Sequence, residues 1–491
     1  MQKMKILKNM KTIKIFVAIV TVFFMTACGD DFLNLTPPDA ISDQEAFESL
    51  EDFQAGLIGV YATIRGGGYY GKNMMVNFDV SVDDLYAVEG FTNQYGTQYG
   101  WTQSSETGEV YSLFLTAYRV ITRSSNLINF WPTLNEGTEA ERNQILGEAK
   151  LLRAMAHFDL VKVYAKSYRA GNPATDLGIP IVTKENLEFK ARNTVQEVFD
   201  FVIEEAKEAL SLMTENRAVF YVGPTAANAL LARVYHEMGD WPNAITYASA
   251  VIADTNFPLS TGNNYIDIWR RDAGNEIIFR TAIHQTEFSN DVNIGSNYVG
   301  GNPPVSNVWR IDYIPSLELL NLYDANDIRL TAFYQENVST PVGTQVVTIK
   351  YNPLNPNYTQ RGMNQVKIFR TSEAYLIRAE AYSYSNEGLA NADLQALRTA
   401  RISGYTHTTL AGDALKQEIY KERRLEFAFE GQRFFDLKRR ELGFARTPQP
   451  GAGPFGNLAI EATDYRWIWP IPQHEMDANP LMVQNQGYVS E

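Results

Sequence analysis

Cysteine is almost missing from this sequence: Cys28 is the only one among 491 residues, so no internal disulfide can form. Metal sites built from several cysteines are excluded for the same reason. Histidine is nearly as scarce, and the sequence contains no H-E-x-x-H motif and no closely spaced pair of histidine ligands. The five histidines are His157, His236, His284, His407 and His474. We therefore expect neither a metal site nor a cofactor.

Basic residues are also in deficit. The chain has 43 Lys and Arg against 57 Asp and Glu, a formal net charge of -14. Residues 1–27 contain five of the lysines and no acid, so the rest of the chain carries a net charge of -19. Because proteins bind phosphate backbones through positive charge, we do not expect a nucleic-acid partner.

The apolar run near the N-terminus is short. It extends from Ile15 to Ala27 behind the five lysines, which is too short for a membrane-spanning helix but typical of a secretory signal peptide, predicted here at 1–27. A cysteine directly after small cleavage residues resembles the lipobox of bacterial lipoproteins. This resemblance implies that Cys28 is lipidated and begins the mature chain. The alternative is a plain signal peptide with an incidental thiol.

The segment 28–44 has no helical period. It contains Asp30-Asp31 and Pro37-Pro38, which predicts an extended tether. Several acyl chains on one cysteine are sufficient for stable membrane attachment. The lipidated form would therefore be a folded body on a membrane anchor.

The clearest helical pattern lies between Pro224 and Ile252. Its first half has an apolar residue at every fourth position, which predicts a helix with one apolar face. Gly239-Asp240 would end this helix, and Trp241-Pro242 would begin a second one, because proline is tolerated in a first helical turn. The order of small and aromatic residues matches the tetratricopeptide repeat. One such hairpin cannot bury both of its faces, so neighbouring hairpins are expected.

The rest of the chain divides according to helical periodicity. We predict a mainly α fold, a tetratricopeptide-like scaffold of helical hairpins with an inserted irregular lobe that contains short strands. The expected regions are an N-terminal helical region at 45–253 with a long aromatic loop at 66–108, the irregular lobe at 254–370, and a C-terminal helical region at 371–491 that packs on the same scaffold.

Several motifs recur in a fixed order along the mature chain. They are 148–154 (EAKLLRA), 373–382, 397–401 (LRTAR), 422–427 (ERRLEF), 430–439 (EGQRFFDLKR), 469–472 (WPIP) and 484–488 (QNQGY). In these motifs the chain resembles the SusD/RagB family of bacterial outer-membrane lipoproteins. The resemblance implies an N-terminal SusD-like region and a C-terminal RagB/SusD region on one helical scaffold.

The same resemblance implies a function. Family members capture glycans at the cell surface without catalysis, so oligosaccharide or polysaccharide is the expected ligand. The expected partner is a TonB-dependent (SusC-like) outer-membrane transporter, over which the protein would sit as a lid. The expected location is the outer membrane, lipid-anchored and facing the cell exterior. Asp30-Asp31 resembles an acidic surface-export signal, although Gly29 separates it from Cys28.

Aromatic residues among amides provide the candidate ligand site. A sugar has flat C–H faces and a rim of hydroxyls, so a capture site needs aromatic rings with polar side chains at their edges. The candidates are Asn93, Tyr95, Gln98, Tyr99 and Trp101 in the long loop, and Tyr298, Asn302, Trp309 and Arg310 in the inserted lobe. Each ring could instead be part of a loop core.

Other chemistries are weaker hypotheses. Asp83-Asp84 could form a glycosidase carboxylate pair, but the sequence cannot give their separation, and we expect no catalytic residue. Gly66 to Lys72 has most of a P-loop pattern, but Asn73 replaces the Ser or Thr that would hold magnesium. The hairpins alone would also fit a protein-interaction scaffold with a non-glycan ligand.

Four glutamates at positions 418, 422, 426 and 430 lie four residues apart on one helical stripe. Like charges at this spacing repel unless cations lie between them. We expect Arg423, Arg424 and Arg433 to supply the cations, in an ion-pair network that locks the last helix to the scaffold.

Overall fold

The computed structural model describes residues 47–184, 189–283, 293–299, 308–352, 362–453 and 458–488. The chain divides into Met1–Glu48 and a second compact unit, Ser49–Glu491, that contains the helices and strands. The predicted signal peptide, Cys28, the tether and Asn302 lie outside the described residues.

The fold is mainly helical, as predicted. The helices are α1 (Leu50–Ile64), α2 (Asn73–Val80), α3 (Gly96–Tyr99), α4 (Gly108–Phe130), α5 (Glu139–Tyr164), α6 (Val195–Leu212), α7 (Pro224–Met238), α8 (Trp241–Ala253), α9 (Gly262–Arg270), α10 (Ser296–Val299), α11 (Leu317–Leu320), α12 (Ile328–Phe333), α13 (Thr371–Tyr382), α14 (Glu387–Arg401), α15 (Gly412–Glu426), α16 (Gln432–Arg439) and α17 (Gln473–Ala478). Among the described residues, no helix is both long and apolar enough to cross a bilayer.

The long helices form one continuous stack. Each of α4 to α7 packs on the next helix in the chain, and α8 then packs on α13, which packs on α14. The stack therefore continues from one side of the irregular segment to the other. This arrangement confirms the predicted scaffold of helical hairpins. The region boundaries at 253 and 370 stay a prediction.

The hairpin between α7 and α8 has the predicted turn. Gly239 ends α7 with a φ of 74°, a left-handed conformation that favours glycine. The Asp240 side chain then accepts a hydrogen bond from the backbone N–H of Asn243 at 3.2 Å, and Pro242 lies in the first turn of α8.

The strands are short and form pairs, all antiparallel. They are β1 (Leu85–Ala87), β2 (Ile277–Arg280), β3 (Tyr313–Pro315), β4 (Tyr334–Thr340), β5 (Gly343–Thr348), β6 (Lys367–Arg370), β7 (Phe444–Ala445) and β8 (Ala459–Ile460), and the pairs are β1–β3, β2–β6, β4–β5 and β7–β8. The β1–β3 pair joins the long loop after α1 to the segment between α8 and α13, with Leu85 opposite Pro315.

Several elements have no counterpart in the sequence prediction, and α2 and α9 are two examples among the longer helices that lie outside the predicted helical segments. The loop at 66–108 contains α2, and the segment after α8 contains α9. All eight residues of α2 are buried, so this helix has no solvent-exposed face and shows no amphipathic period. The helix is held by tertiary packing, which periodicity does not reveal.

Candidate functional site

An open cleft of about 530 Å³ lies where the loop after α1 meets the start of α4. Its lining comes from the glycine-rich turn, the start of α2, the segment before α3 and the first turns of α4. The lining residues are Gly67, Gly68, Lys72, Asn73, Gln94, Tyr95, Gly108, Glu109 and Ser112. One side of the cleft is thus the long aromatic loop that the sequence analysis selected.

The loop beside the cleft is held in an unusual backbone conformation. Seven residues other than glycine have positive φ within the described part of the chain, and three of them are Asn93 at 65°, Tyr95 at 58° and Trp101 at 54°. Such conformations cost free energy and persist only where surrounding contacts hold them. Their concentration in nine residues marks the loop as a candidate for ligand binding.

Contacts from the segment between α8 and α13 hold this loop. Thr92 donates to Asp312 through its backbone N–H at 2.8 Å and its hydroxyl at 2.7 Å. The Tyr313 hydroxyl donates to the Gln94 carbonyl oxygen at 2.6 Å, and Asn297 Nδ2 donates to Gln94 Oε1 at 2.8 Å. The two aromatic stretches selected from the sequence are therefore neighbours, although more than 200 residues separate them in the chain.

The floor of the cleft is polar and pre-organised. Tyr95 is 6% exposed, and its hydroxyl donates to Asn73 Oδ1 at 2.7 Å. The Lys72 ammonium lies 5.5 Å from the centre of the Tyr95 ring. Gly68 packs tightly against α4, because a Cβ at this position would lie 2.7 Å from the Ser112 hydroxyl. Any larger residue at position 68 would push the turn away from α4.

Several polar atoms of the lining have no protein partner. The carboxylate of Glu109, the hydroxyl of Ser112 and the amide nitrogens of Asn73 and Gln94 make no hydrogen bond within the described residues. Donors and acceptors that converge on an open cleft suit a ligand with many hydroxyl groups. No group of three or more metal-ligating side chains occurs among the residues that the structure describes.

Most of the aromatic candidates are core residues. Tyr99 and Trp101 are each 1% exposed, and the Trp101 indole N–H donates to the Ser81 carbonyl oxygen at 2.6 Å. The Trp101 ring packs against Trp467 at 4.8 Å between ring centres, and the Arg446 guanidinium lies 3.9 Å from the centre of Tyr99. The expectation that these rings stand open for a ligand is wrong, because they form the core beneath the loop.

Gln98 and Tyr298 are also inside. Both have no exposed surface, and the Tyr298 hydroxyl donates to Asp79 Oδ2 at 2.7 Å. The Tyr298 ring stacks on Tyr351 with 5.6 Å between ring centres. Tyr298 thus anchors its segment, the Gln98 side chain accepts a hydrogen bond from its neighbour Thr97, and the expectation that either side chain contacts a ligand directly is corrected.

The remaining candidates lie at or near the surface. Asn93 and Arg310 are exposed and Trp309 is partly buried. Trp309 packs on the small apolar cluster of β1, β3, β4 and β5, where Phe91 also packs. The Trp309 ring therefore packs on the same apolar cluster as Phe91 of the loop, but it does not line the cleft. Its role in ligand binding stays a prediction.

Sequence reasoning missed four polar residues of the cleft: Lys72, Asn73, Glu109 and Ser112. The signal that could have found the first two is the glycine run that precedes them, since glycine permits close approach of backbone to a ligand. The last two lie on a regular amphipathic helix. There they could not be distinguished from ordinary surface residues.

Asp83 and Asp84 do not face the cleft as a free carboxylate pair. Both are buried, and Arg433 contacts Asp83 at 2.9 Å while Arg424 contacts Asp84 at 2.7 Å. Glycosidase carboxylates must flank a sugar. The ion pairs with arginine instead give this pair a structural role.

Comparison with known proteins agrees with the fold. The family model described as "SusD family" matches residues 344–488, and the model described as "Starch-binding associating with outer membrane" matches residues 31–236. The SusD-like protein P38 of Formosa agariphila is 25% identical, over 98% of this chain and 100% of its own length.

Solved structures give the same result. A SusD superfamily protein of Bacteroides thetaiotaomicron superimposes with a TM-score of 0.79 and 27% identity, over 89% of this chain and 99% of that one. A protein of Bacteroides vulgatus described as a putative sugar binding protein superimposes with a TM-score of 0.77 and 25% identity, over 90% and 100%. The matched models, the full-length relatives and the shared tetratricopeptide-like architecture lead to one conclusion: this chain belongs to the SusD/RagB family.

Proposed function

We propose that this protein is a cell-surface lipoprotein that captures oligosaccharides in the cleft beside α2 and α4 and delivers them to a TonB-dependent, SusC-like transporter. It performs no catalysis and is anchored in the outer membrane through Cys28. The names of related proteins support carbohydrate binding, since one matched model is described as starch-binding and one solved relative as sugar-binding.

The observation that carries the proposal is the strained loop at the cleft. Contacts from a distant part of the chain hold Asn93 and Tyr95 at positive φ, and the result is a cleft with unpaired amide, hydroxyl and carboxylate groups. Strain of this kind persists where a fixed arrangement serves a ligand. Trp309 and Arg310 do not line the cleft, but Trp309 packs on the apolar cluster that also holds Phe91 of the loop, and we propose that both residues extend the site.

The energetics favour an oligosaccharide over a single sugar. Covering one sugar face of about 100 Å² against an aromatic ring contributes about 2.5 kcal/mol before the cost of association. Hydrogen bonds add about 1 kcal/mol each because they replace bonds to water. Several sugar units must therefore contact the protein together for useful affinity.

Binding to a panel of polysaccharides tests the proposal. Affinity electrophoresis and calorimetry would use the purified protein, its Trp309→Ala and Gln94→Ala variants, and Trp131→Ala as the control. Trp131 is also a partly buried tryptophan, but it lies after α4 and, unlike Trp309, does not pack on the apolar cluster beside the loop. We expect the first two variants to weaken binding about tenfold or more, and the control to bind as wild type. Full affinity in both the Trp309→Ala and the Gln94→Ala variant would contradict this site.

One observation favours a second candidate function. Tyr99, Trp101 and Tyr298 are core residues, so the aromatic surface is smaller than the sequence suggested. A protein-interaction scaffold whose principal partner is the transporter would need no such surface. Co-purification of a transporter together with no binding across the polysaccharide panel would support this alternative over glycan capture.

A further inference from the structure

A second cleft, of about 560 Å³, lies near the C-terminal end of the described chain. It shares no lining residue with the first cleft. Its walls come from the segment after α5, the end of α16 and the residues around 462–468 and 484–487. Part of the lining belongs to the final family-like motif, to which the proposed function assigns no role.

The most prominent side chain of this C-terminal cleft is Tyr465. Its ring is 45% exposed, in contrast to the buried rings of the first loop. Tyr488 meets the ring edge-on with 5.0 Å between ring centres. Gly487 lies against the ring so closely that a Cβ there would come within 2.3 Å of Tyr465 Cδ2. Tyr465 is thus an exposed ring held in place by its neighbours.

Three polar side chains of the same cleft have no partner among the described residues. The side chains of Thr463, Glu441 and Gln486 are exposed, line the cleft and make no hydrogen bond or ion pair within the described residues. They offer a hydroxyl, a carboxylate and an amide. An aromatic ring with such groups at its edge has the chemistry that recognises a sugar.

The cations of the cleft are already occupied, which argues against an anionic ligand. Lys438 donates to the carbonyl oxygens of Lys162 at 2.5 Å and Ala165 at 2.8 Å. Arg192 donates to four backbone carbonyls and to the Asn485 side chain, and Lys166 pairs with Asp176 at 2.7 Å. No lysine or arginine of the lining is left for a phosphate, sulfate or uronate group.

We propose that the C-terminal cleft is a second carbohydrate-binding site, in which Tyr465 stacks on a neutral sugar and Thr463, Glu441 and Gln486 pair with its hydroxyls. Two separate sites on one rigid body would let a long glycan bind at both ends. The second contact then occurs at high effective concentration, so a polysaccharide is held more tightly than a short fragment.

The test uses the detergent-solubilised full-length lipoprotein and four neutral probes: maltohexaose, cellohexaose, laminarihexaose and xylohexaose. Saturation-transfer NMR and calorimetry would compare wild type with Tyr465→Ala, Tyr465→Phe and Gly487→Ala. The control is Tyr384→Ala, because Tyr384 is 42% exposed but lies after α13, outside the cleft.

We expect at least one probe to receive saturation from the wild-type protein when it binds at Tyr465. Tyr465→Ala should weaken that binding roughly tenfold or more, Tyr465→Phe should retain it, and Gly487→Ala should weaken it by displacing the ring. Thermal melting would show that each variant is folded. The proposal is overturned if the wild type binds no probe through Tyr465, if Tyr465→Ala binds as wild type, or if Tyr384→Ala causes the same loss.

Discussion

Buried charges around α15 show what a single residue contributes to this fold. The four glutamates of its stripe are indeed neutralised, but the cations differ from those expected. They come from Arg329, Lys350, Arg370, Arg398, Arg401 and Lys421, and Glu430 lies beyond the C-terminal end of α15. Arg423 and Arg424 instead pair with Asp436 and Asp84. The reason is helical geometry, since residues one or two positions from a glutamate point to other faces of the helix.

Removing one charge from this network should be costly. Glu426 has no exposed surface and accepts hydrogen bonds from Arg401 at 2.9 Å, Arg370 at 2.8 Å and Arg329 at 3.2 Å. Glu426→Gln leaves these guanidinium groups buried with too little negative charge, and we expect it to lower the free energy of unfolding by about 3–5 kcal/mol. Urea denaturation measures the loss. Glu204→Gln, on the exposed face of α6, is the matched control and should change stability by less than about 0.5 kcal/mol.

A second residue gives a pH-dependent prediction. Burial raises the pKa of Asp79 from its ordinary value of 3.8 to about 8, against the lowering effect of the hydrogen bonds from Tyr298 and Gly431. Above pH 3.8 the unfolded chain releases this proton while the folded protein keeps it. The contribution of Asp79 to stability is therefore complete below its ordinary pKa and is lost as the pH rises through about 8.

Asp79→Asn should remove this dependence, because an amide has the same shape and never ionises. Compared with wild type, the variant should gain about 4 kcal/mol in relative stability between pH 5 and pH 9, because the folded pKa of about 8 lies about three pH units above pH 5. Urea titrations at a series of pH values, on both proteins, isolate the effect from all other groups. Parallel stability curves for the two proteins would mean that Asp79 is ionised throughout this range.

At the scale of elements, the turn between α15 and α16 connects the C-terminal motif to α2. Gly431 has a φ of 70°, its backbone N–H donates to Asp79 at 2.7 Å, and a Cβ there would lie 2.9 Å from the Met74 carbonyl oxygen. Gly404 has a nearly equal φ of 71°, but a Cβ there would meet nothing within 4 Å. Comparison of substitutions at the two glycines therefore separates the energetic cost of the left-handed backbone from the cost of steric overlap with α2.

We expect Gly404→Ala to lower stability by about 1 kcal/mol, the cost of a left-handed conformation for alanine. Gly431→Ala should cost about 3 kcal/mol or more, because α2 must also move away. Thermal or urea denaturation of both variants gives the difference. Equal losses would show that the approach of the turn to α2 contributes nothing.

Elements with an amphipathic period could be predicted from the sequence, and those without it could not. The hairpin α7–α8 matches its expected bounds because one face of each helix is apolar and a glycine separates them. The first helix begins at Leu50, where Ser49 and Asp52 form a capping box. The buried α2 has no period to read.

The candidate site was harder to predict for a different reason. Tyr95, Tyr99 and Trp101 lie in one loop with similar neighbours, and the sequence gives no sign of which ring faces inward. Their burial depends on residues far along the chain, such as Arg446 beside Tyr99 and Trp467 beside Trp101. Local composition selected a loop that borders a cleft, while long-range packing decided which of its atoms reach that cleft.

At the scale of the whole molecule, the helical stack acts as a frame for irregular segments. The long loop after α1 and the segment between α8 and α13 meet through β1–β3 and through the contacts of Gln94. Both are attached to helices at each end, so the cleft is fixed by the frame even though its walls are loops. The family-like motifs of the sequence analysis lie mostly in the frame, which explains why they identified the family and not the ligand.

Membrane attachment of the whole chain depends on lipidation of Cys28, which can be tested directly. Ser49–Glu491 forms its own compact unit, so a change at Cys28 should leave the body folded. A cysteine that carries several acyl chains binds a bilayer stably, whereas a serine at this position has no thiol to acylate. We expect the wild type to partition into the detergent phase of Triton X-114. We expect Cys28→Ser either to remain in the aqueous phase or to keep its signal peptide uncleaved. The same variant, cut from its signal peptide, should bind glycans as wild type does. Mass spectrometry of the wild-type N-terminus provides the direct check, and an unmodified Cys28 thiol in the mature protein would refute the anchor.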